Sequence, residues 1–418
     1  MTIAIRLSCV ALAALALASG SAGAGDGMVD GRPPEGGAFD PGLPVDGGYF
    51  PDSYSYWFDG DPTGGAVFYE TMGGGATEIA SGLGFDVVEL YDGFCVAEPG
   101  EANGLSAVVE LCSILNGADP YAGCEPDEFL RAPEGLGFAG VILGSEFGRA
   151  QYPRQPCVTT IRARPAHGRA TGAGVTVAVL DTGVDRAHTL FNDPAGRVLP
   201  GRDIVDQDEF PDEVAGAGYG HGTTVAGLVL LAAPGARILP VRVLDQHGTG
   251  TAGRIAAGIR YAADSGAGVV NLSFGGVGRS SAVEEALADA MARGVVIVAA
   301  AGAVRGPDDL QFPGSVPGVI AATGTAKRTG DVWTPASGLI GPYPGERWFR
   351  GTGTSFSCAL VSGGAALAQE RWPGITGDGI VALLQPSSVA RIQPFDTATL
   401  LWLWSPVPVR LNLLRLVR

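Results

Sequence analysis

Basic residues are few. Lys and Arg number 27 against 43 Asp and Glu, leaving a formal net charge of −16 over 418 residues. Phosphate recognition needs clustered Lys and Arg, so this balance argues against a nucleic-acid partner. Charge of one sign also favours a soluble monomer through mutual repulsion. Histidine is scarcer still. His167, His188, His221 and His247 are the only four, and any imidazole base must be one of them. There is no His-rich or Cys-x-x-Cys cluster, so no metal-ligating set is expected. Long hydrophobic runs are missing too: Leu7 to Ala18 and Leu400 to Trp404 fall short of the ~20 apolar residues that span a bilayer.

Apolar side chains and glycine are plentiful. Hydrophobic residues make up 46% of the chain and charged residues 17%, enough for a sizeable core in one large domain or two modest ones. Residues 1–24 read as a secretory signal, with Arg6 ahead of the apolar run and Ala22-Gly23-Ala24 as a small-x-small cleavage site. The expected location is therefore secreted, extracellular or periplasmic, with no membrane span once the signal is removed. Residues 25–65 are rich in Gly, Pro and Asp without period, and read as a disordered lead-in. Residues 66–131 suggest a small α+β unit: strands at Phe85–Leu90 and Gly93–Ala97, a helix over Leu105–Leu115, and a closing strand at Tyr121–Pro126. Residues 132–157 read as a linker.

From about residue 158 to 390 the pattern becomes α/β. Near-continuous apolar strands are expected at Val175–Leu180, Ile238–Val243, Val269–Ser273, Val295–Ala300 and Val319–Ala322. Helical stretches lie between them. One has a capping box, Ser281-Ala282-Val283-Glu284, a stripe of Val283, Leu287, Ala290 and Met291, and Gly294 as its stop. Such alternation predicts a parallel sheet covered by helices on both faces, with ligands bound beyond the carboxyl ends of the strands. Residues 391–418 form a C-terminal tail that is expected to pack on this domain rather than anchor in a membrane.

Three residues stand beside glycine at element ends in this domain. Asp181 closes the strand Val175–Leu180 and precedes Thr182-Gly183. His221 lies in Gly220-His221-Gly222-Thr223, where a turn opens a helix. Ser355 lies in Gly353-Thr354-Ser355, ahead of the small-residue helix pattern through Gly363, where unpaired N–H groups and the helix dipole favour developing negative charge. Taken singly, each has an ordinary reading as a turn carboxylate, a structural histidine or an N-cap. Together they are an acid, a base and a hydroxyl, the set that makes a serine nucleophilic at neutral pH.

Asp181-Thr182-Gly183, His221-Gly222-Thr223 and Gly353-Thr354-Ser355 resemble the three signature motifs of the subtilisin-like serine proteases, the subtilases, over about residues 160–390. The resemblance implies an α/β fold with a subtilisin-like parallel sheet and a serine endopeptidase that acts on peptide or protein substrates. In it Ser355 is the nucleophile, His221 the general base and then acid, and Asp181 the residue that orients the imidazole. It further implies that Gly248, Gly250, Ser273 and Gly275 line the edges that pair with an extended substrate, with Gly302 in the pocket wall. Residues 66–131 resemble the family's propeptide, which implies an intramolecular inhibitor. No cofactor is required. Many members carry structural calcium, for which Asp206, Asp208 and Asp212 would be an oxygen-rich loop; a solvated acidic loop is the alternative.

The departures bear on activity. Ala303 stands where the family usually has an oxyanion-binding Asn, so a slow protease is expected, and a catalytically weak or inactive binding scaffold is the rival reading. Thr224 and Ala359 replace a common His and Pro. After signal removal five cysteines remain. Cys358 reads as a small buried hydrophobe. Cys95, Cys112, Cys124 and Cys157 allow three pairings, and a bond from Cys157 to any of the others would tether the propeptide covalently.

Overall fold

The computed structural model describes residues 66–69, 76–91, 94–99, 105–118, 123–127, 129–131, 140–192, 196–276, 278–302, 310–326, 329–385 and 408–418. The expected signal, the lead-in 25–65, the apolar run Leu400–Trp404 and Ala303 lie outside them. All described residues belong to one compact unit, Phe58–Arg418.

The first lobe runs β1 (Ala66–Tyr69), α1 (Ala76–Gly82), β2 (Phe85–Tyr91), β3 (Phe94–Pro99), α2 (Leu105–Ala118) and β4 (Glu125–Pro126). Its antiparallel sheet has the order β2-β3-β1-β4. Val108, Leu111, Cys112 and Leu115 recur at helical spacing on α2 and are buried against Phe85, Cys95 and Ala97. Cys112 and Cys124 form a disulfide within this lobe, while Cys157 is free and buried elsewhere. The covalent tether from Cys157 is thereby overturned. The lobe keeps the expected start but holds two more elements, because β1 and α1 precede the first expected strand.

Two short strands follow, β5 (Phe129–Arg131) and β6 (Gly140–Leu143), then α3 (Ser145–Gln151), a 3-10 turn (Tyr152–Arg154), α4 (Pro156–Thr160) and α5 (Ala163–His167). Much of the expected linker is therefore regular structure. Gly148 of α3 lies so close to Trp348 that any Cβ would collide with the indole, which explains how a Gly-rich stretch packs tightly.

Among the described residues the main sheet has eight strands, all pairing in parallel. In chain order come β7 (Thr176–Asp181), β8 (Arg202–Asp203), α6 (His221–Ala232), β9 (Arg237–Arg242), β10 (Thr249–Thr251), α7 (Ala252–Asp264), β11 (Val269–Leu272), α8 (Ser281–Ala292), β12 (Val296–Ala300), β13 (Ile320–Thr323), β14 (Val332–Trp333), β15 (Leu339–Tyr343), β16 (Arg347–Gly351), α9 (Thr354–Arg371), α10 (Gly377–Leu384), β17 (Val409–Arg410) and α11 (Leu413–Leu416). The sheet order is β17-β14-β13-β12-β11-β7-β9-β8. Alternate residues of β7 explain the two covered faces. Val177 and Val179 join one apolar cluster with α6 and α9, and Ala178 and Leu180 join the other with α7 and α8.

Two expectations shift by small amounts. The N-cap of α8 is Ser280, whose Oγ accepts from Val283 N at 3.2 Å, so the expected box starts one residue late. The tail supplies more than a covering: β17 is the edge strand of the main sheet, and Leu411, Leu413 and Leu416 are fully buried.

Candidate active site

Asp181 is the last residue of β7, a strand buried along its whole length. Its Oδ1 accepts from Thr182 N at 2.8 Å and lies 2.7 Å from His221 Nδ1. The imidazole reaches it because Gly222 lets the start of α6 press onto the Asp181 turn. A Cβ at Gly222 would collide with Gly183 O and come within 3.0 Å of the Asp181 Cβ. The N-cap Gly220 adopts φ +88°, the left-handed conformation that glycine takes without strain.

Ser355 is the second residue of α9 and is fully buried. Its Oγ donates to Ser273 O at 2.9 Å, and Ser273 Oγ donates back to Ser355 O at 3.1 Å. Beneath them Asn271 Nδ2 donates to Ser273 Oγ, and Ser362 Oγ donates to Asn271 Oδ1. This buried chain joins the end of β11 to α9 and fixes where the helix begins. The next residue, Phe356, stacks on the His221 ring with centroids 6.4 Å apart and planes at 29°. The structure thus brings Asp181, His221 and the start of α9 together at the carboxyl ends of β7 and β11. Cys358 lies one turn along, 3.4 Å from Val298 O, and burial pushes its thiol up to about 12.

Glu213 carries no local motif in the sequence, yet it ties this corner together. It is half-buried, with Oε1 accepting from Thr223 N and Oγ1 and Oε2 accepting from Gly220 N and Thr182 Oγ1, at 2.8 to 3.0 Å. Burial of the carboxyl pushes it up to about 7; these bonds pull it back and the Asp181 charge pushes the same way as burial. The only available signal is an acidic residue shortly before the His221 turn. Thr224, which replaces a common His, is buried and donates to Pro342 O.

Of the expected substrate edges, Gly250, Ser273 and Gly275 converge. β5 pairs antiparallel with β10, Leu130 opposite Gly250, and Arg131 exchanges both backbone bonds with Gly275. A Cβ at Gly250 would sit 2.5 Å from Val243 O, so the edge requires glycine there. Gly248 stands apart: its N–H donates to Asp245 O in the preceding turn. Gly302, φ +81°, follows β12, whose Ala299 pairs with Leu272 just ahead of the Ser273–Gly275 segment. On the other side β16 pairs with β6, Gly351 opposite Gly140, two residues before the Gly353-Thr354-Ser355 turn.

The acidic loop has other engagements. Asp206 accepts from Arg242 at 2.5 Å, Asp208 from Phe210 N, and Asp212 pairs with Arg186. Among the described residues no three His, Cys, Asp or Glu side chains converge as metal ligands. These three carboxylates therefore do not fit a shared calcium.

The model of the subtilase family matches residues 172–398. Thermitase from Thermoactinomyces vulgaris is 36% identical over 242 residues, 53% of this chain and 82% of that protein. Subtilisin Savinase from Lederbergia lenta is 32% identical over 237 residues, 52% of this chain and 84% of that protein. Among solved structures, fervidolysin from Fervidobacterium pennivorans, described as a keratinolytic enzyme related to subtilisin, superposes with a TM-score of 0.64 at 22% identity. That match covers 86% of this chain but only 61% of the fervidolysin chain, and it shows likeness of fold reaching beyond residues 172–398. With the motifs, the parallel sheet and these relatives in agreement, the chain belongs to the subtilase family.

Proposed function

We propose that this protein is an exported serine endopeptidase with Asp181, His221 and Ser355 as its catalytic set. The observation that carries the reading is the 2.7 Å contact between His221 Nδ1 and Asp181 Oδ1, with the His221 ring stacked on the residue after Ser355. Asp181 holds the proton on Nδ1, which leaves Nε2 as the base. Ser355 Oγ attacks the scissile carbonyl and its proton passes to His221. The proton then goes to the leaving amine, and water hydrolyses the resulting ester by the same route in reverse. The N-terminus of the 18-residue helix α9 offers N–H groups and a favourable dipole to the oxyanion.

Ala303 supplies no side-chain donor, which supports slow turnover. In subtilisin, removing the corresponding Asn donor costs about 10²–10³ in kcat. The same substitution motivates the rival reading, a binding scaffold on this fold. The first lobe together with the β5 strand that follows it acts as a cis inhibitor, since β5 occupies the edges a substrate would use. The test is labelling by a fluorophosphonate probe. Wild-type protein is expected to label and Ser355→Ala to remain unlabelled; wild-type protein that never labels would favour the scaffold.

A further inference from the structure

The ends of β11 and β12 leave a slot beside Ser355. One wall is Ser273–Gly275, which holds the Ser355 hydroxyl at Ser273 O and pairs with the chain's own β5 at Gly275. The other wall is Ala301-Gly302, the continuation of β12. A side chain of a bound peptide next to the scissile bond would enter between them.

The slot is occupied by Gln311. A Cβ at Gly302 would collide with its Oε1 and Cδ, and a Cβ at Gly275 would lie 3.0 Å from the same Oε1. The side chain therefore rests against the backbone of both walls at once. Its own backbone is anchored to both as well. Gln311 N donates to Ala301 O, and the adjacent Phe312 exchanges two bonds with Gly276. Gln311 Oε1 is buried and, among the described residues, has no hydrogen-bond partner. A buried amide oxygen without a donor is costly and is hard to explain as a device for stability alone.

We propose that Gln311 is a specificity-determining residue that closes this slot, so that the residue on the acyl side of the cut bond must be small: glycine, alanine or serine. The inference rests on the endopeptidase reading above. Glycine walls on both sides would otherwise make room for a large apolar side chain, and the Gln311 amide fills that room. The link between β5 and β6 contains Ala132, Gly135, Gly137 and Ala139, four residues of the accepted kind.

The test uses full-length protein and two matched series of peptides that differ only at this residue, Ala against Phe. One series is read as kcat/KM. The other carries a diphenyl phosphonate in place of the scissile bond and is read as labelling rate, which needs the nucleophile but no turnover. Occlusion by β5 slows both probes alike and cancels in the ratio. Wild-type protein is expected to favour Ala over Phe by at least ~10-fold. Gln311→Gly and Gln311→Ala should each bring the ratio to within ~3-fold, and Gln311→Met, which restores bulk without the amide, should keep most of it. A wild-type preference for Phe, or a ratio unmoved in both truncated variants, overturns the role of Gln311 while leaving the protease reading in place. Failure of every probe to label overturns both.

Discussion

Glu213 has no place in the proton transfers, yet its carboxylate receives hydrogen bonds from the loop after Asp181, the N-cap of the His221 helix and that helix's first turn. All its partners are donors, so Glu213→Gln turns an amide NH2 toward one of them and leaves a mismatched pair. We expect a loss of about 1–3 kcal/mol in urea unfolding, with turnover reduced because His221 loses its support. The pH dependence follows from a folded-state pKa of about 7 against an ordinary 4.5. Folding takes up a proton between those values. The contribution of Glu213 to stability is therefore greatest below about 4.5 and declines as pH rises through about 7. Unfolding measured at pH 5 and pH 8 should show this decline in wild-type protein and not in Glu213→Gln. Asp181, His221 and Ser355 were legible because each sits beside glycine in a local motif. Glu213 and Gln311 were not, because what they do depends on donors and walls brought in by other elements.

The first lobe docks on the helices of the main sheet by two carboxylates placed at two helix N-termini. Glu125 accepts from Ser280 Oγ, Ser281 N and Ala282 N at the start of α8, and Asp127 accepts from Gly253 N at 2.7 Å at the start of α7. Dipole and unpaired N–H groups favour anions at both places. They differ in burial. Asp127 is fully buried, its Oδ2 lacks a partner among the described residues, and desolvation pushes its carboxyl up to about 6 against the pull of Gly253 and Thr251. An undocked lobe would return it toward 3.8, so docking takes up a proton between those values and weakens as pH rises through about 6. Hydrogen exchange at Leu130 and Arg131 in the uncleavable Ser355→Ala chain should show it. Opening of β5 is expected to rise by ~10- to ~100-fold between pH 4.5 and 7 beyond intrinsic exchange, and Asp127→Asn should flatten the rise. Long apolar strands were readable to within about a residue, as β7 and β11 illustrate, while the helix expected over Leu105–Leu115 runs on to Ala118. β6 was not: its Val141 and Ile142 are exposed, and its stability comes from β16, some 200 positions along the chain.

Across the whole molecule, the chain borders its own Ser355 on two sides. It arrives at the cleft as β5, paired with β10 and Gly275, and resumes as β6, paired with the strand that leads into Ser355. Only eight residues, 132–139, join the two. That arrangement narrows the expected processing region from the full linker to the bonds between Arg131 and Gly140, because α3 and the turns after it are packed into the main core through Gly148, Tyr152 and Gln155. A cut farther along would have to unfold that packing first. The small-residue preference proposed for the slot beside Ser355 would narrow the choice again, to bonds following Ala132, Gly135, Gly137 or Ala139. N-terminal sequencing and intact mass of purified wild-type protein should find a new N-terminus after one of these four, with Ser355→Ala left whole. The cut should also proceed at a rate independent of protein concentration, since both flanking strands belong to the chain that carries the serine. A rate that rises with concentration, or a new terminus within α3 or beyond, would mean that these strands do not present the bond that is cut.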